Sequence, residues 1–160
     1  MIRKVLATLG VAGTALLGVV APATAQTQAA PDCQYTGGYG TIVKTAPVTA
    51  LTGGTRVATV ELCRDSAYNY WAFAIYSSPM TASEYAQAYL QTYRDGSWVS
   101  DVTCDDKAGG GNGHVAYTQT RCWTAKVNGV SGHYTFRARS DKFSSHTNNL
   151  LASGSTVTAR

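Results

Sequence analysis

Charge is scarce in this sequence, and catalytic signatures are missing. Charged residues make up 14% of the 160 and hydrophobic ones 44%. A chain that apolar is not disordered, and it lacks the Ala/Glu/Lys/Leu heptads of a coiled coil. No apolar run reaches the roughly 20 residues that span a bilayer. There is no G-x-S-x-G elbow, no H-E-x-x-H and no S-x-x-K, which excludes the recognisable hydrolase families but not a site assembled from distant positions. No two cysteines stand as C-x-x-C and no histidine lies at ligand spacing from one, so zinc is set aside. Nothing implies a cofactor. Helical periodicity is nearly absent, and the length fits a single domain.

The N-terminus is informative. Arg3 and Lys4 precede an apolar run from Val5 to Val20, and Ala23-Thr24-Ala25 then offers the small-x-small pattern of a secretory cleavage site. Residues 1–25 are therefore expected to be a signal peptide, 26–143 one secreted β-domain, and 144–160 a polar C-terminal segment with one weak strand at most. Removing Arg3 and Lys4 halves the net charge of +4. An anionic partner such as nucleic acid or lipid is then not indicated by charge alone. The expected product is extracellular, without a membrane span, and a monomer or a subunit of a secreted complex.

Cys33, Cys63, Cys104 and Cys122 all lie beyond the cleavage site. An even count in an exported chain predicts two disulfides. Of the three connectivities, Cys33–Cys63 with Cys104–Cys122 is favoured, because the second pair flanks the Gly-rich loop 107–113 whose arms should lie together.

Between Tyr35 and Phe143 the apolar residues alternate, which is strand periodicity. Arg56–Arg64 reads as one strand and Tyr68–Tyr76 as the next, with Trp71, Phe73 and Ile75 as its core face. The stretch 82–92 is open between helix and strand: Tyr85 and Tyr89 stand four apart, and a helical turn near 82–86 followed by a strand at 88–94 is expected. Asp95-Gly96 marks a hairpin to a strand at 97–104, and Asn128-Gly129 a second hairpin between 114–127 and 130–140. The sum is an all-β fold, a small antiparallel β-sandwich or barrel with two disulfides.

Candidate binding residues follow from the same alternation. Tyr70, Tyr76, Tyr89 and Tyr93 could stack on sugars or anchor a protein partner. Arg137 and Arg139 share a strand face with His133 and could form a cationic strip. The loop Gly109–Gly113 lacks the strand-before, helix-after context of a phosphate cradle, and Asp101, Asp105 and Asp106 lack calcium-loop spacing. Both read as solvated loop. No metal site is expected.

Gly132-His133-Tyr134-Thr135-Phe136, with Arg121 upstream, resembles the histidine-bearing segment of secreted microbial ribonucleases of the barnase type. The resemblance implies His133 and Arg121 as catalytic residues of a small hydrolase. It covers a short segment, and where that family carries a glutamate before the arginine this chain has Asp106. A wider similarity, over Val60-Glu61-Leu62, Trp71, Arg94-Asp95-Gly96 and Cys122-Trp123, is to small secreted proteins of actinobacteria. It implies origin and compartment and lends no activity. The sequence thus leans away from an enzyme and toward a secreted, disulfide-stabilised binding module for a protein or an extracellular glycan, with the ribonuclease-like hydrolase as the alternative.

Overall fold

The computed structural model describes residues 32–160, and the expected signal peptide lies outside them. Among the described residues eleven strands follow one another: β1 Gln34–Tyr35, β2 Gly38–Tyr39, β3 Thr41–Ala50, β4 Arg56–Arg64, β5 Asn69–Tyr76, β6 Glu84–Arg94, β7 Ser97–Thr103, β8 Arg121–Trp123, β9 Val127–Asn128, β10 Tyr134–Ser144 and β11 Leu150–Ser155. β1 and β2 form a small ribbon. The other nine make one antiparallel sheet in the order β7-β6-β10-β11-β3-β4-β5-β8, with β9 also on β5. The sheet curls into a half-barrel, so the all-β class holds.

The Asp95-Gly96 hairpin forms as the sequence predicts. Both residues take positive φ, 50° and 83°, as a two-residue turn between twisted strands demands. The expected helical turn does not form. Thr81 and Glu84 do make reciprocal contacts of the capping-box kind, with the Glu84 N–H donating to the Thr81 carbonyl and the Thr81 N–H to the Glu84 carboxylate. The chain then enters β6 directly. A spacing of four fits one strand face as well as one helix face, which is why Tyr85 and Tyr89 did not discriminate.

The Asn128-Gly129 hairpin is also absent. Val127 and Asn128 pair with Tyr70 and Asn69 of β5, while β10 pairs with β6 and β11. Gly129 has no positive φ; its role is steric. A Cβ there would stand 2.6 Å from the Tyr70 ring and 2.7 Å from that of Phe136. The C-terminal residues are no trailing segment either, since β11 lies inside the sheet between β10 and β3.

The barrel interior is small-residue packing. Val48, Val60, Leu62, Leu90 and Phe136 sit among Ala58, Ala72, Ala74, Ala86, Ala88 and Ala138. Tyr70 and Tyr76 belong to this core, with Tyr70 stacked on Phe136 and the Tyr76 hydroxyl bonded to Ser140. On the expected core face of β5, Trp71 and Phe73 are buried and Ile75 half-buried, but in a second, smaller cluster with Cys33, Cys63 and Tyr35 of β1 rather than in the barrel interior. There Cys33 and Cys63 form the predicted disulfide. The expected second disulfide is not closed: Cys104 and Cys122 are free thiols, both fully buried.

Candidate functional site

Alternation along β6 sorts its residues by face. Ala86, Ala88 and Leu90 point into the barrel, and Tyr85, Gln87, Tyr89, Gln91 and Tyr93 lie on the opposite face, where Gln91 is itself buried. The outward positions therefore read Tyr, Gln, Tyr, Gln, Tyr, with rings about 13 Å apart along the strand at about 3.3 Å per residue. Beside them β10 contributes Thr135 opposite Tyr93, Arg137 opposite Gln91 and Arg139 opposite Tyr89. On the other flank β7 contributes Trp98 beside Tyr93 and Asp101 opposite Gln91.

These side chains hold one another. The Trp98 indole N–H donates to Asp101 at 2.8 Å, Gln91 donates to the same carboxylate, and the Arg137 Nε donates to the Gln91 carbonyl at 2.8 Å. The Arg137 guanidinium lies 5.7 Å from the Tyr93 ring centre and that of Arg139 6.0 Å from Tyr89. Arg139 also pairs with buried Asp141, at 2.8 Å. Arg137 has no carboxylate partner among the described residues, so one cation on this face is free to meet a ligand.

The ladder ends in a cleft of about 370 Å³ at the start of β6, bordered by Glu84, Tyr85, Gln87, Asp105, His114 and Tyr117 among others. Asp105 accepts from the His114 backbone N–H and faces the His114 Nδ1, each at 2.9 Å, and accepts from Gln87 as well. Burial raises its carboxyl pKa, but these bonds outweigh it and hold the group below the usual range. The Tyr85 ring meets His114 edge-on at 5.9 Å and stacks on Phe143 at 5.2 Å. Asp105 turns one imidazole nitrogen toward itself and leaves the other for a ligand or a proton.

Of the sequence candidates, Tyr89, Tyr93, Arg137 and Arg139 share this face. Tyr70 and Tyr76 do not: both are buried, and neither offers a ring to solvent. His133 and Arg121 have separate partners. His133 sits beside Asp95 at 3.0 Å on an exposed turn, whereas Arg121 on β8 meets Asp32 and Gln34. The glutamate, arginine and histidine cluster of the ribonuclease resemblance is thus not assembled around them. Asp106 caps the backbone of Gly109.

In the sequence Asp105 stands only as one of three acids without calcium-loop spacing, and His114, Gln87 and Gln91 carry no signal of their own. Glu61 lies close to Cys33 and Cys63, but those sulfurs are spent on each other and present no thiolate pair for a metal. Comparison of the chain with models of known families, with curated proteins and with solved structures finds no match.

Proposed function

We propose that this chain is a secreted, disulfide-stabilised, non-catalytic binding module that takes an extended extracellular glycan across the outer face of β7, β6 and β10. The observation that carries the reading is the Tyr85-Gln87-Tyr89-Gln91-Tyr93 row beside Arg137 and Arg139. Aromatic rings stack on the apolar faces of sugars, while amides and guanidinium groups meet hydroxyls and acidic substituents. The row carries no aliphatic side chain, and its regular interval suits a repeating polymer better than the irregular relief of a protein surface. A protein partner is the alternative outcome.

The test is retention of the purified mature protein on immobilised polysaccharides of the bacterial and plant cell wall, compared with Tyr89→Ala and Arg137→Gln. Binding that falls about tenfold or more in both supports the reading. Retention on no polysaccharide, or retention indifferent to both changes, overturns it.

One observation favours a second reading, a small hydrolase: the Asp105–His114 pair borders a cleft and leaves an imidazole nitrogen free, as a general base requires. Turnover of RNA, ester or glycoside substrates that disappears in His114→Ala would establish it.

A further inference from the structure

We propose that a second pocket, bordered by Arg64, Tyr68, Val130 and Arg160, binds an oxyanion: a carboxylate, sulfate or phosphate group. The pocket measures about 390 Å³ and uses none of the residues of the tyrosine ladder.

The argument begins with the turn between β4 and β5. Asp65 accepts from the backbone N–H groups of Ala67 and Asn69, from the Asn69 side chain, and from Lys126 at 3.0 Å. The Tyr68 N–H donates to the Asp65 carbonyl and the Gly129 N–H to the Tyr68 carbonyl. Those bonds fix the turn so firmly that Tyr68 is held at φ 60°, a left-handed backbone that a bulky side chain adopts only at a cost. Strain of this kind persists where surrounding structure over-determines it, and it collects at ligand sites.

The strained residue places its ring beneath Arg64. The guanidinium lies 4.8 Å from the Tyr68 ring centre and 5.9 Å from that of Tyr70, and donates to the Tyr70 hydroxyl at 3.4 Å. It is thereby oriented without being neutralised. The neighbouring carboxylate, Asp65, is already occupied by Asn69 and Lys126. Arg160 is anchored in the same way, by a bond of 2.9 Å to the Val130 carbonyl, and passes close over Gly132, where a Cβ would come 3.3 Å from its guanidinium. Among the described residues neither arginine has an ion-pair partner.

Two guanidinium groups, each anchored by its own contacts and neither in an ion pair, border one cavity, and guanidinium N–H groups are the donors that oxyanions accept best. Tyr68 and Val130, both exposed, leave an apolar wall for whatever body carries the charge.

The test is calorimetric titration with sodium sulfate, phosphate and acetate at ionic strength held constant with chloride. The parent should show saturable binding to at least one ion, and Arg64→Gln and Arg160→Gln should each weaken it about tenfold or more. Arg56→Gln, which removes an exposed arginine at the opposite end of β4, should leave it unchanged. Tyr68→Gly separates site from scaffold: it relieves the positive φ, so melting should not fall, while anion affinity should drop with the lost platform. Glucuronate compared with acetate identifies the source, since tighter glucuronate binding assigns a charged sugar and equal binding a free ion. Absence of saturable binding to all three ions, survival of binding in both arginine variants, or equal weakening by Arg56→Gln would overturn the proposal.

Discussion

Cys104 follows the first strand of the sheet order and Cys122 lies in the last, yet their two sulfurs are neighbours in the barrel core. The Cys122 thiol is pushed well above its usual pKa, first by burial and then by the hydrogen bond and charge of Cys104. The curl of the sheet is what brings its ends together, so a bond between these sulfurs would close the half-barrel covalently.

Oxidation is therefore expected to form Cys104–Cys122, with two protons and two electrons passing to a disulfide-bearing oxidant or to oxygen. Chain-entropy reasoning gives roughly 3 kcal/mol for closing a loop of this length. The mass of the purified oxidised protein should be lower by the hydrogens of both disulfides, and a thiol alkylator should add nothing even in denaturant. Incorporation of two alkyl groups on unfolding would show that the pair stays reduced.

Gly129→Ala is expected to destabilise the protein by about 1–3 kcal/mol, the usual cost of forcing atoms into a filled core. The new methyl would meet the stacked Tyr70 and Phe136 rings from 2.6 and 2.7 Å. Chemical denaturation measures it. Unchanged stability would mean that the rings can part, and that Gly129 is there for some other reason.

Asp65 gives stability a pH dependence at the acid end. Burial raises its carboxyl pKa, but the bonds from Asn69 and Lys126 prevail and hold it at about 2, against 3.8 for the free group. A folded pKa below the unfolded one contributes stability that is complete above about pH 4 and disappears as pH falls through about 2. Asp65→Asn should lower the melting temperature at pH 6 and flatten this acid limb. The parent and variant curves should converge near pH 2; curves that stay parallel would assign the acid limb to other groups.

How far the fold was legible depends on which physical constraint each residue obeys. Asp95-Gly96 was readable because its turn needs positive φ, a property of the dipeptide itself. Asn128-Gly129 carries an equally strong turn signal but answers to distant rings, which no local reading supplies. β5 was read as having one core face, Trp71, Phe73 and Ile75, and Trp71 and Phe73 are indeed buried, but alternation could not show that Tyr70 and Tyr76 on the other face are buried too, inside the barrel. β11, Leu150–Ser155, holds no β-branched or aromatic residue to signal a strand, and its place in the sheet comes from its neighbours β10 and β3. Part of the candidate face was visible as alternation, in Tyr89, Tyr93, Arg137 and Arg139. Asp105 and His114 meet only through the fold of the β7–β8 connection, and Arg64 at the end of β4 comes beside Arg160 only once the sheet has formed.

The last prediction concerns the histidine that the ribonuclease resemblance singled out. His133 and its partner Asp95 are each about two-thirds exposed. An ion pair that open to solvent contributes little, so His133→Ala should change stability by less than about 0.5 kcal/mol. Arg121, held by Asp32 and Gln34 on the far strand of the sheet order, shares no partner with it. A catalytic acid and its electrostatic helper must converge on one reacting group, and removing either typically costs about 100- to 10,000-fold in rate. RNA cleavage by the parent, His133→Ala, Arg121→Ala and His114→Ala, measured side by side, separates the possibilities. No cleavage above background in any of the four is the expected result. Cleavage lost only in His114→Ala would move the chemistry to the Asp105 cleft and make the protein an enzyme. Cleavage lost in both His133→Ala and Arg121→Ala would require those residues to approach in solution, against the separate contacts that each makes here.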